Sequence, residues 1–570
     1  MTAWSSLFAT FWGSLGIERK ARMQQREPAA LQGLPMRQGS GLSCTPMPTH
    51  PFRVLAWAAL TGLFAGCATL PSEVPREASA AIPLSAQEEL GRIATQSVPK
   101  SASSAFRPLE LSAYSMDARL TLARHAQKSL DLQYYLLQND VTGHTLLRTV
   151  RDAAARGVRV RILVDDLYTA DSDQMLVQLA AYPNVEVRLF NPFPAGRAFA
   201  LTRWTFALDD FARVNHRMHN KMFIADGAFA VAGGRNIADE YFFSNKEGNF
   251  VDFDLLIAGA AVPQMAAIFD RYWNSRRVYP LLALEKSADP PAALRAAFEK
   301  LTSDALAAYP TPPPDQPDLL GFLPVSAEFG SAPLKMYSGQ IEVFSDDPEK
   351  VTGRAESGDD ETTVTARVTK AIAAARSDLV IGSPYFIPGA PGMASLRTAR
   401  EHGVHVEVVT NSLASNDEPF ASAAYGRYRV EMLKMGVDLF ETDSRQLKKD
   451  PLIGAALHSS VGRSHSKLII FDRRVTFVGS MNMDLRSARL NTELGLLVDS
   501  PELAKDVLGL ADRVVSVGSY RLRLIEPGDQ LQWVASHDGT EKIYESEPEV
   551  DFATKLQLLF VFPFISESLL

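Results

Sequence analysis

A chain of 570 residues exceeds what one hydrophobic core ordinarily organises, so two or more globular units are expected. Its composition, 46% hydrophobic and 22% charged, excludes wholesale disorder. The formal net charge of -8 speaks against a dedicated nucleic-acid binder, although a local basic pocket fits within it, and two cysteines are too few for a disulfide framework or a Cys/His zinc site.

Residues 1–46 read as an upstream extension, with translation expected to begin at Met47 or Met36, because the first signal-like segment starts later. Residues 47–67 read as that signal: thirteen uncharged residues, Val54–Gly66, follow Arg53 and end in small side chains. The run is too short to cross a bilayer as a helix. Its end, Phe64-Ala-Gly-Cys67, resembles a bacterial lipobox, which implies lipidation at Cys67 and a place on the periplasmic side of the cell envelope, anchored to the membrane. Residues 68–108 are rich in Pro, Ser and Ala without apolar periodicity and read as a flexible tether.

From Leu109 strand-like and helix-like segments alternate. The strand from Leu130, the helix Thr145–Arg156 stopped by Gly157, and the β-branched strand Val158–Asp165 predict a β-α-β unit. A helix ending at Gly403 and the strand Val404–Asn411 repeat it, and Gly403 follows Gly157 by 246 residues. The expected organisation is a first α/β domain over 109–286, a Pro-rich linker over 287–339 containing Tyr309-Pro-Thr-Pro-Pro-Pro, a second domain over 340–524, and a tail over 525–570. The tail's apolar run Leu558–Ile565 is expected to pack rather than lie on a membrane.

The first domain carries His219-Asn-Lys221, then Asp226, Gly233-Gly234 and Asn236; the second carries His465-Ser-Lys467, then Asp472, Gly479-Ser480 and Asn482, every position displaced by 246. His and Lys two apart at the head of a strand leave the same face, so an imidazole and an ammonium converge. Asp226 and Asp472 sit where the apolar run reverses and read as structural turn residues. Gly234 and Ser480 are expected to let the backbone pass beneath a bound phosphate, and Asn236 and Asn482 to donate amide hydrogens to it.

Phosphodiester cleavage needs a nucleophile, a proton donor for the leaving alkoxide and fixed positive charge. Two His, two Lys and two Asn meet that list: a neutral imidazole attacks phosphorus to give a covalent phosphohistidine while the other, protonated, releases the leaving oxygen. Each imidazole then needs a partner that fixes its tautomer. Carboxylates in the following strand suit that part, which assigns Asp252 and Glu493, with Glu240 and Asp254 as weaker candidates. His216 and His219 would share a metal only on a helix, and the surrounding alternation is strand-like with no third ligand. Tyr134, Tyr135, Tyr385 and Phe386 read equally as pocket lining and as core.

The duplicated HxK(x)4D(x)6G(G/S)xN pattern resembles the phospholipase D superfamily over about Leu109 to Leu524. The resemblance implies two α/β repeats, each a mixed sheet flanked by helices, packed about a pseudo-twofold axis. It also implies no metal or other cofactor, His219 as nucleophile and His465 as acid/base. Ser383-Pro-Tyr-Phe-Ile-Pro388, Thr410-Asn-Ser-Leu413, Tyr425-Gly-Arg-Tyr-Arg429 and the closing Glu567-Ser-Leu-Leu570 are similar to the bacterial cardiolipin synthase C type. That likeness implies phospholipid substrates, membrane association and phosphatidyl transfer that yields cardiolipin. The alternatives are a phospholipase D hydrolase releasing phosphatidic acid, a secreted nuclease of the same chemistry, and an inactive tethered phospholipid-binding protein; the acidic balance implies no nucleic-acid partner.

Overall fold

The computed structural model describes residues 70–197, 200–242, 245, 248–305, 316–331, 333–352, 362–449, 461–525, 527–537 and 540–561. The upstream extension, the signal with Cys67, the Tyr309–Asp315 core of the Pro-rich stretch and the closing Glu567–Leu570 lie outside the described residues. Of the described residues, 71–193 and those from 210 onward form one compact unit, which carries everything below; 70, 194–197 and 200–209 belong to another. That second unit includes the helix Ala200–Thr205, in which Thr202 Oγ1 donates to Gly196 O at 2.7 Å.

Each repeat builds one mixed sheet in one strand order. In the first, Ser104–Leu109 is followed across the sheet by Asp254–Gly259, Phe229–Gly233, Met222–Ala225, Ser129–Tyr134, Arg159–Asp165, Val185–Phe190 and Val278–Pro280. In the second the order is Tyr337–Ser345, Leu494–Asp499, Val475–Gly479, Leu468–Phe471, Asp378–Gly382, His405–Asn411, Asp438–Thr442 and Ser519–Ile525. The expected β-α-β unit is the parallel pair Ser129–Tyr134 and Arg159–Asp165 joined by the helix Val141–Ala155, which Gly157 ends at φ 95°. Its counterpart joins Asp378–Gly382 to His405–Asn411 through the helix Gly389–Glu401.

The two sheets meet edge to edge where Ser104–Leu109 pairs antiparallel with Tyr337–Ser345, Phe106 opposite Tyr337. One apolar cluster crosses the join, with Met222, Ile224 and Leu255 of the first repeat beside Ile470, Leu494 and Leu496 of the second. Burying one such side chain contributes ~1.5–3 kcal/mol, so the repeats hold together through a shared core rather than a linker.

Three expectations change here. The stretch read as a tether holds a helix, Glu89–Ser97, and the joining strand itself. Upstream of them, the segment before Leu84 lies along the first sheet, with Ala81 N donating to Asp270 Oδ2 at 2.8 Å and Arg188 Nη2 to Glu77 O at 2.7 Å. The helix buries only Leu90, Ile93 and Ala94 among its apolar side chains, a stripe too short to register as periodicity. The linker contains the helix Pro291–Leu301, because a proline at the first helical position starts a helix instead of breaking it. The tail adds the hairpin Gln530–His537 and Thr540–Tyr544 to the second sheet, then the helix Phe552–Val561. Leu558 packs beside Phe420 and Ala421, but Phe552, Leu556 and Leu559 are 78%, 43% and 68% exposed, so the expected packing covers one face only.

Asp226 and Asp472 both stand in the left-handed region, at φ 51° and 53°, where the hairpin turns. Asp226 accepts from the backbone N–H of Gln127, Lys128 and Ser129 at 2.8–2.9 Å, and Asp472 from Arg376, Ser377 and Asp378 at 2.8–3.3 Å. Each carboxylate pins its motif hairpin to the neighbouring strand. Three charge-assisted bonds at a buried site predict that Asp226→Ala lowers stability by about 2–4 kcal/mol, and Asp472→Ala, at a half-buried site, by about 1–2 kcal/mol. Denaturant melts check this, and equal, near-zero losses contradict it.

Candidate active site

His219, Lys221, His465 and Lys467 lie just upstream of the strands Met222–Ala225 and Leu468–Phe471, and all four are buried. What holds each histidine comes from the other repeat. His219 N donates to Thr492 O at 2.8 Å and His465 N donates to Val251 O at 2.8 Å. A two-stranded parallel ribbon, Gly248–Val251 with Val461–Ser464, extends the second of these bridges.

The carboxylates follow the same crossing. Glu493 and Asp252 do meet the histidines, but crosswise: His219 Nδ1 lies 3.0 Å from Glu493 Oε2, and His465 Nδ1 lies 2.6 Å from Asp252 Oδ2. With Nδ1–H of His219 committed to Glu493, its Nε2 keeps its lone pair for phosphorus; at His465 the Lys467 ammonium stands 2.8 Å from Nδ1 and 3.1 Å from Nε2 and competes for the ring nitrogens. The weaker candidates stand apart: Asp254 pairs with Arg119 at 3.0 Å and Arg235 at 3.3 Å, and Glu240 contacts neither histidine.

Gly234 and Ser480 require a correction. A Cβ on Gly234 would lie 2.1 Å from Asp252 Oδ1, so the missing side chain makes room for the orienting carboxylate rather than for a phosphate. Ser480 Oγ donates to Glu493 Oε2, and Ser487 Oγ to Oε1 at 2.9 Å. Asn236 is likewise engaged, accepting from Leu136 N at 3.2 Å and donating to Tyr241 Oη at 2.9 Å. Asn482 differs: its Oδ1 is buried with no hydrogen-bond partner among the described residues, and this capacity is that of an acceptor, which suits an N–H or O–H donor and not a phosphate oxygen.

Burial sets the electrostatics. It pushes Lys221 down to about 7 and Lys467 to about 8, and Glu493 up to about 7. His219 falls well below its ordinary value through burial first and then through Lys221 and Lys467. His465 falls to about 4 through burial first and then through Lys467, with Asp252 opposing. Both imidazoles are therefore neutral near pH 7, and their carboxylate contacts are hydrogen bonds rather than ion pairs. Arg486, held on Asn215 O at 2.9 Å, adds fixed positive charge beside His219.

The aromatic candidates divide. Tyr135 stands edge-on to His219 at 4.9 Å, whereas Tyr134 receives Arg119 Nε within the core. Tyr385 donates to Asp417 at 2.8 Å, and Phe386 is core against Tyr425. Tyr241 and Phe250, 5.1 Å and 4.8 Å from His465, escaped the sequence reading, as did Arg486. Asp165 and Asn411 also escaped, though they stand 246 residues apart: Asp165 accepts from Met218 N at 2.8 Å and Asn411 from Ser464 N at 3.0 Å, each fixing the residue before a histidine.

Two buried imidazole–ammonium sets, joined crosswise by carboxylates at the meeting of two like sheets, define a two-repeat enzyme of the phospholipase D type. The family described as "Cardiolipin synthase, PLD-like domain" matches residues 120–273 and 368–514, and the chain belongs to it. It is 34% identical over 484 residues to cardiolipin synthase C of Escherichia coli K12, covering 84% of this chain and 96% of that protein. It is 32% identical to an uncharacterized protein of Helicobacter pylori 26695, covering 77% and 84%. In fold it is similar to the crystal structure of a phosphatidylserine synthase from Haemophilus influenzae, with a TM-score of 0.52 and 15% identity over 85% of this chain and 100% of that one.

The crowded cations predict proton uptake on anion binding. An oxyanion raises the lysines and histidines, so tungstate binding at pH 7.5 takes protons from buffer, and affinity falls as pH rises past about 7, where Lys221 and then Lys467 lose their protons. Calorimetry in buffers of different ionisation enthalpy checks this; identical enthalpies contradict it. Asp252→Asn and Glu493→Gln are each expected to lower kcat about 100-fold or more.

Proposed function

We propose that this chain is a phosphatidyltransferase that forms cardiolipin through a covalent phosphohistidine. The observation that carries the reading is the pair of buried imidazoles, each held at Nδ1 by a carboxylate of the opposite repeat. His219 Nε2 attacks the phosphorus of a donor phospholipid, and the bond to the headgroup oxygen breaks. The anionic phosphodiester raises His465 enough for it to carry a proton, which it gives to the departing alkoxide. An acceptor alcohol then gives its proton to His465 while its oxygen displaces His219 from phosphorus. Lys221 and Lys467 bind the non-bridging oxygens.

Phospholipid as substrate and a membrane as its source agree with the exposed Phe552, Leu556 and Leu559 on the last described helix, which packs beside Pro419–Gly426 and Tyr385. Lipidation at Cys67 on the periplasmic side of the envelope would hold the domain at the same surface.

Incubation of the purified protein with phosphatidylglycerol and phosphatidylethanolamine vesicles, followed by mass spectrometry, tests the reading. Cardiolipin is expected from the intact enzyme and none from His219→Ala or His465→Ala. Phosphatidic acid alone would instead make the enzyme a hydrolase, and no lipid product would reject a lipid substrate. Each apolar side chain seated in a bilayer contributes ~1.5–3 kcal/mol, so Phe552→Ser with Leu559→Ser should weaken vesicle binding of the non-lipidated chain about 100-fold or more. Unchanged flotation contradicts a docking role for this helix.

A further inference from the structure

The two repeats share strand order but not filling. In the first, the space between the sheet and the helix Ala261–Trp273 is occupied by Phe269, Tyr272 and Trp273, by Phe190 and by Gln133, all fully buried. The pairing registers place Gly382 where Gln133 stands, since they lie opposite Leu468 and Met222, and Thr442 where Phe190 stands, since they lie opposite Asn411 and Asp165. In the corresponding helix, Pro501–Gly518, Leu510, Arg513 and Val514 stand at the positions of the three aromatic rings, since the preceding strands pair Leu255 with Ala232 and Leu496 with Val478.

The result is a cavity of about 140 Å³ behind the second motif. Its lining runs from half-buried Leu319, Leu510 and Val514 to buried Thr442 and Asp252, the carboxylate that holds His465. Ser464 and Ser466 also line it, and these flank His465 in the chain, so the cavity lies on the face of this segment opposite the imidazole. A Cβ on Gly382 would meet nothing nearer than Leu468 O at 3.7 Å, an ordinary contact, so a side chain fits there without a clash. The lining is overwhelmingly apolar, and burial pushes the Glu110 carboxyl at its edge up to about 8, which keeps that group uncharged at neutral pH.

We propose that this cavity is a binding site for the end of an aliphatic chain, separate from the site of phosphate chemistry. An apolar cavity of about 150 Å³ stays dry and accepts a benzene-sized ligand, so roughly six carbons fit, with the rest of the chain leaving past Leu319 and Leu510. The bound chain packs against the far side of Asp252. The proposal does not depend on which phosphodiester the enzyme turns over.

The test is fluorescence titration of the full-length protein with cis-parinaric acid, whose emission rises in an apolar site. Saturable binding is expected, weakened tenfold or more by Gly382→Leu and by Val514→Trp, which restore bulk as in the first repeat. Melting curves of the same samples identify a variant that fails to fold, in which case the other decides. Saturating tungstate, which occupies the phosphate site, should leave parinarate bound. Equal binding in both folded variants, or displacement by tungstate, overturns the proposal. Competition by oleate against lysophosphatidylglycerol then tells a free fatty acid from a phospholipid chain as the ligand. Loss of cardiolipin formation with parinarate binding intact would refute the transferase reading alone.

Discussion

Everything at this site depends on two hydrogen bonds that cross between repeats, His219 to Glu493 and His465 to Asp252. Each half of the chain owns a histidine and a lysine but borrows the group that sets its histidine's tautomer. Neither repeat is therefore a complete half-site. The shared apolar cluster, the edge-to-edge pairing at Ser104–Leu109 and the bridges at Thr492 and Val251 all fix the register in which the borrowing occurs. Small residues follow from the same need: Gly234 clears the way for Asp252, and Ser480 ties Glu493.

Gathering two lysines, two histidines and Arg486 away from water is unfavourable without an anion, since burial penalises every charge and each cation penalises its neighbours. The protein meets this by holding the imidazoles neutral and letting the lysines fall toward neutrality. A phosphodiester reverses the balance, so binding and protonation of the acid become one event. That coupling supplies the opposite protonation states that a two-histidine transfer requires, without a separate residue for each.

The duplicated motif was legible because spacing survives in a linear chain: a displacement of 246 residues recurs from Gly157 to Asn236 and identifies both copies. Asp165 and Asn411 obey it too and were there to be found. The crosswise pairing was not legible, because alternation tells which face of a strand a carboxylate leaves but not which repeat that face meets. Gly234 was misread for a related reason; close approach was correct, but the approaching group comes from a distant strand. The tether and linker failed differently. Leu90 and Ile93, or Leu294 and Phe298, are too few to show a period, and the prolines around them mark a helix start as readily as a break.

The most direct test of the crossed pairs is nitrogen NMR of the protein labelled only at histidine, recorded at pH 7 for the intact chain, Glu493→Gln and Asp252→Asn. His219 and His465 are predicted to be neutral with the proton on Nδ1, with Glu493→Gln shifting only His219 and Asp252→Asn only His465. A shift of the histidine in the same repeat as the altered carboxylate, or a proton resident on Nε2 in the intact protein, would contradict the account.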